Sequence, residues 1–152
     1  MIRHIAVMAM AALLTVITTT ATLAQENTPL DTDAVRLSPV GDNSAASGWA
    51  WVTPYMDKLI VTVLVTGFEP GSAHANHIHR GSCTNGPVVY PLTQLVANAD
   101  GVATATTLVS PDMAAMMADS YFVMGHVNPT GGAGIVCGDM KAIMMMPSMP
   151  GM

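Results

Sequence analysis

The sequence predicts an all-β protein, an antiparallel sandwich or barrel with one short helix. Three observations carry that reading. Residues 59–66 (LIVTVLVT) form a breaker-free run rich in β-branched side chains, other segments alternate apolar with polar residues, and turn residues recur between them at short intervals. Along the chain, 48–55 (GWAWVTPY) alternates with Trp49 and Trp51 on one face, as a half-buried strand does. The 59–66 strand follows, then a turn at Glu69, Pro70, Gly71 and Ser72, after which 73–79 runs extended. Segment 81–91 holds two glycines and two prolines and reads as an ordered loop. Asn98 to Gly101 supplies a hairpin turn into the alternating strand 102–109 (VATATTLV). Ser110 can cap a helix, Pro111 suits its first position and Asp112 the positive end of its dipole, with Met113, Met116 and Met117 on one face. Strands over 121–126 (YFVMGH) and 135–143 complete the chain. Met113, Met116, Met117 and Met124 are expected to fill gaps in the core.

The two ends differ from this middle. Residues 5–17 are almost continuously apolar, preceded by Arg3 and followed by small residues to Ala24. A basic start, a short apolar stretch and a small-residue exit read as a signal peptide over 1–24. The run falls short of the roughly 20 apolar residues a spanning helix needs, and no later segment reaches that length. The expectation is an exported protein, periplasmic or extracellular, with no membrane span after cleavage. A polar lead-in covers 25–47, one domain covers 48–143, and 144–152 is a low-complexity tail whose methionines, Met144, Met145, Met146, Met149 and Met152, have nothing to pack against. Without Arg3 the chain keeps four fixed cations against ten acids, a net charge of −6. That balance offers no footprint for nucleic acid.

The chemistry-bearing residues are few. Cys83 and Cys137 are the two cysteines. An oxidising compartment favours a disulfide, and a pair of thiolate metal ligands is the alternative. Past the signal there are four histidines, three of them in HANHIH at 74–79 and the fourth at His126. On an extended strand His77 and His79 project from one face with Cβ atoms about 7 Å apart, so two imidazoles can converge on one ion. Phe122, Met124 and His126 share a face, which lets His126 add a third nitrogen. His74 is out of phase with the pair and suits a hydrogen-bonding role, orienting a ligand ring. Imidazoles alone fit Cu, Zn, Fe or Ni.

In this order the motifs resemble those of the Cu,Zn superoxide dismutase family. Residues 74–83 (HANHIHRGSC) are similar to its copper-ligand strand, with a structural histidine, the His-x-His pair and a disulfide cysteine. Residues 86–92 (GPVVYPL) resemble the family's Gly-Pro-His-Phe-Asn-Pro-Leu, and 99–103 (ADGVA) its Asp-Gly-Val-Ala turn. Residues 123–126 (VMGH) fall where the later copper histidine does, and 136–138 (VCG) where the partner cysteine does. The resemblance runs over 48–143. It implies a Greek-key β-sandwich, a copper site on His77, His79 and His126, and a Cys83–Cys137 bridge.

The departures bear on function. Val88 stands where the family has a histidine bridging copper and zinc, and no further histidine remains for zinc, so zinc is not expected. The stretch from His126 to Cys137 is short, and Gly134 or a neighbour replaces the family's guiding arginine, leaving Arg80 as the cation beside the cluster. Three imidazoles without a fourth suit Cu(I) better than tetragonal Cu(II), and the tail thioethers are soft donors of the same preference. The sequence therefore points to an exported protein for copper tolerance, storage or delivery, with copper as Cu(I) or Cu(II) and a copper-transfer protein as the expected partner. The alternative is a copper-only superoxide dismutase forming hydrogen peroxide and oxygen, of reduced activity.

Overall fold

The computed structural model describes residues 34–41 and 45–140. The signal segment 1–24, lead-in residues 25–33, the 141–143 end of the last expected strand, and the tail residues Met144, Met145, Met146, Met149 and Met152 lie outside the described residues. Eight strands and one helix follow in order: β1 (Ala34–Pro39), β2 (Ser47–Tyr55), β3 (Lys58–Thr66), β4 (Ala73–Arg80), β5 (Val88–Val96), β6 (Ala103–Val109), α1 (Met113–Ala118), β7 (Tyr121–Asn128) and β8 (Gly131–Met140). All strand pairs are antiparallel. The spatial order β5-β4-β7-β8-β1-β2-β3-β6 puts β3 beside β6 and β4 beside β7, the long connections of a Greek key.

β1 joins the two halves. Its first residues, Ala34 to Leu37, pair with β2, whereas Ser38 and Pro39 pair with Cys137 and Val136 of β8. The far edges, β5 and β6, meet through Thr93, whose N–H donates to Thr107 Oγ1 at 2.7 Å and whose hydroxyl donates to Thr106 O at 3.2 Å. The result is a nearly closed barrel. Its interior follows from strand alternation: Leu59, Val61, Val63 and Val65 of β3 point inward, against Ile78, Leu95, Val123 and Val136 from the opposing half.

Several expectations shift. The polar lead-in assigned to 25–47 contains β1, because Val35 and Leu37 alternate with Arg36 and Ser38 and bury against the core. The loop expected over 81–91 ends early. β5 starts at Val88 and carries Pro91, which an edge strand tolerates because one side of it has no ladder to feed. β8 begins at Gly131 rather than at 135. The helix is capped by Asp112, not Ser110, the carboxylate accepting from Ala114 N–H and Ala115 N–H at 3.0 and 3.1 Å. Met116 is buried and Met113 packs against the core, while the side chain of Met117 is outside the described set. Met124 is not part of the core and remains partly exposed. No helix among the described residues is long and apolar enough to cross a membrane.

Cys83 and Cys137 are bonded, with Cα atoms 5.9 Å apart. The bridge fastens the loop between β4 and β5 to β8, and Cys83 N–H adds a bond to Asp139 Oδ1 at 2.8 Å. Its sequence separation is 54, a loop whose closure entropy is worth about 4 kcal/mol on the chain-entropy account. A Cys83→Ser/Cys137→Ser variant is therefore expected to lose stability of that order in urea unfolding. A midpoint within error of the parent would show that the crosslink constrains little.

Candidate metal centre

The centre is built on the outer surface of the β4–β7 pair. β4 and β7 run antiparallel with His77 opposite Met124 and His79 opposite Phe122. Ile78 and Val123 fall between them and point into the core, fully buried. Alternation then turns His77, His79, Phe122 and Met124 the other way. A register shift between Gly125 and His126 in the β7–β8 ladder is the bulge that precedes the third histidine. The ring centroids of His77, His79 and His126 lie 4.9 to 5.8 Å apart, and one nitrogen from each falls within 4.8 Å of the others. The fold thus brings together the three histidines that strand spacing singles out.

Hydrogen bonds fix which nitrogens face the centre. His79 Nδ1–H donates to Gly86 O at 3.0 Å, and His126 Nδ1–H donates to Gly132 O at 2.9 Å. In neutral rings both Nε2 atoms then carry unshared pairs. These two atoms face each other at 3.2 Å. With both Nδ1 atoms committed to carbonyls, no proton is left between them, and the contact is repulsive until a proton or a cation enters. The third ring adds a further opening, since His77 Nδ1 is buried and has no hydrogen-bond partner. An orphaned buried nitrogen is costly. Three convergent nitrogen donors, two orienting carbonyls and one orphan fit a metal ion bound by imidazole.

The surroundings hold the rings in place. Phe122 stacks on His79 with centroids 4.7 Å apart. The carbonyl of Gly86 reaches His79 because its residue has no Cβ, which would stand 1.8 Å from Arg80 O and 2.9 Å from Phe122 Cε1. His74 is hydrogen-bonded, as its phase suggested, but to the backbone of His126 and to Ser72 rather than to a ligand ring. Its Nδ1–H donates to the His126 carbonyl at 2.9 Å, its Nε2 meets Ser72 Oγ at 2.8 Å, and its ring stacks on Phe68 at 3.9 Å. Val88 pairs with His79 and is exposed, offering no donor. Arg80 is ion-paired to Asp119 at 3.8 Å on the surface. The carbonyls of Gly86 and Gly132 and the stacking of Phe122 escaped the sequence argument. Only the Phe122–Met124–His126 alternation hinted at the last.

Burial, followed by the charges of His126 and His79, pushes the His77 imidazole below its ordinary value. Burial is also the main force lowering His79, opposed by its bond to Gly86 and reinforced by His126. Both rings therefore stay neutral and able to ligate into mildly acidic solution. The unfolded chain takes up these protons first as pH falls, so the metal-free fold loses stability from about pH 6.5 downward until the folded rings titrate. Ring resonances followed by NMR in metal-free protein should give midpoints for His77 and His79 below that of a free histidine. Midpoints at or above it would contradict the burial argument.

Comparison with known proteins adds the family and the fold. Residues 18–134 match the CHRD domain, a stretch holding all three clustered histidines. A crystal structure of a SOD-like protein from Bacillus subtilis superposes with a TM-score of 0.52 at 17% identity, covering 72% of this chain and 98% of that one. No curated protein matches the chain. The superoxide dismutase resemblance thus holds at the level of fold, an all-β barrel related to SOD-like proteins. By the match over most of its length, the chain belongs to the CHRD domain family.

Proposed function

We propose that the protein is an exported copper-binding protein that holds the ion on His77, His79 and His126, for copper tolerance, storage or delivery. One observation carries the reading: two Nε2 atoms 3.2 Å apart, each with its Nδ1 committed to a carbonyl. Two opposed electron pairs of this kind are relieved by a shared cation. The SOD-like fold and the all-imidazole donor set support copper. The tail methionines Met144, Met145, Met146, Met149 and Met152 are soft donors that could capture Cu(I) and pass it inward. Bound copper would supply one-electron Cu(II)/Cu(I) chemistry. The residues around it hold and orient the ligand rings.

The second reading, a copper-only superoxide dismutase, draws on the partly exposed His77, the side from which small solutes would reach the cluster. Against efficient turnover stand two features. Val88 provides no proton-relaying imidazole, and Arg80 is engaged by Asp119, so little positive field remains to gather an anion.

Titration with Cu(I) against a competing chelator tests the proposal. The parent should bind one ion tightly, and His77→Ala or His126→Ala should weaken that binding by at least the 10- to 100-fold, roughly, that loss of a supporting partner costs a metal site. Replacing the five tail methionines by leucine should lower the capacity for additional ions and leave the first unchanged. Absence of tight binding, or affinity unchanged in both histidine variants, would overturn the reading. Inhibition of cytochrome c reduction by copper-loaded protein, above that of free copper, would favour the dismutase.

A further inference from the structure

The geometry points to Met124 as a thioether donor beside the three histidines, making the centre a mixed nitrogen–sulfur site that selects Cu(I). This inference rests on the copper reading above and names the redox state and the fourth ligand. Methionine in an antiparallel barrel ordinarily fills the core, yet Met124 belongs to the outward row of β7 with Phe122 and His126 and stays partly exposed. It stands directly opposite His77 on β4. Paired residues in an antiparallel ladder have Cβ atoms about 5 Å apart, so the Met124 side chain starts beside one of the candidate ligands.

The sulfur itself lies on the β8 side, against the glycine that pairs with another. An ideal Cβ at Gly134 would lie 2.6 Å from Met124 Sδ and 2.8 Å from its methyl carbon. The thioether therefore occupies the space a side chain at 134 would need. Gly134 is the residue paired with His126 across the β7–β8 ladder, and Gly132, two positions earlier, supplies the carbonyl that orients the His126 ring. One short glycine-rich run of β8 thus supports both the His126 imidazole and the Met124 thioether. Met124 is unbranched, with three rotatable side-chain bonds, so its sulfur can adapt to an ion held by the histidines. A thioether is a weak ligand for Zn(II) and a good one for Cu(I), so its presence separates ions that three imidazoles accept alike.

Full-length protein labelled with 13C at the methionine methyls, titrated anaerobically with Cu(I) and separately with Zn(II), tests the assignment. The Met124 methyl, identified by its absence in Met124→Leu, should shift with the first equivalent of Cu(I) and remain still with Zn(II). Met124→Leu should lower Cu(I) affinity on the order of tenfold, the low end for loss of a supporting group at a metal site, and leave Zn(II) affinity unchanged. The same shift should persist when the five tail methionines are replaced by leucine. Tight Cu(I) binding by the parent with the Met124 methyl unmoved, or with only tail methyls moving, would overturn the thioether assignment and leave the histidine reading standing. Failure of the parent to bind Cu(I) at all would overturn both.

Discussion

The candidate site depends on the register of β4 against β7. Val123 and Ile78 are held fully buried on the inner face, and Gly125 lies against Val136 and Leu95. These contacts leave β7 one way to sit. Because side chains alternate with a period of two, a slip of a single residue would send the outer row of β7 into the barrel and bring core valines out beside His77. The hydrophobic interior thus positions a polar centre on the opposite face of the same strands. The disulfide works on the same centre from the other side, since the loop it fastens carries the Gly86 carbonyl that orients His79.

Orientation by carbonyls matters because imidazole is ambiguous. A free ring can present either nitrogen, and a cluster of three has many protonation patterns. Gly86 O and Gly132 O remove most of them by requiring a proton on Nδ1 of His79 and His126. His74 then bonds the backbone carbonyl of His126, steadying the strand rather than the ring. The cost is the facing pair of Nε2 atoms and the orphaned His77 Nδ1, two unfavourable features within a few ångströms. Local disagreement of this kind amid an otherwise consistent fold is where function is expected to reside.

Much of this was legible in the sequence because it depends on short-range spacing. His-x-His on a strand fixes two rings on one face, and the β-branched run 59–66 with its flanking turns announces the barrel wall. Tertiary contacts decided the rest. β1 contributes only two buried side chains, Val35 and Leu37, too few to distinguish it from a polar lead-in until β2 and β8 receive it on either side. Pro91 argues for a loop unless β5 is known to lie at an edge. The helix cap moved two residues because the Asp112 carboxylate meets two backbone N–H groups at once. Backbone carbonyls carry no residue signal at all, so the Gly86 and Gly132 acceptors could not be foreseen. Met124 was expected in the core on composition, and strand phase overrides that preference.

Three residues, Val88, Gly134 and Met124, set the character of the surroundings of the candidate centre. Val88 offers no donor, Gly134 has no side chain, and Met124 fills the space beside Gly134. Their common effect is an apolar, polarizable neighbourhood around the candidate ligands. An oxidised copper ion gains little from such a neighbourhood, whereas a reduced one tolerates low coordination and prefers soft donors. A catalyst that must pass repeatedly between the two states needs both to be accommodated. A centre biased towards one state is suited instead to retaining an ion in that state and releasing it to a competing ligand. The partial exposure of His77 supplies the side from which such a ligand could approach.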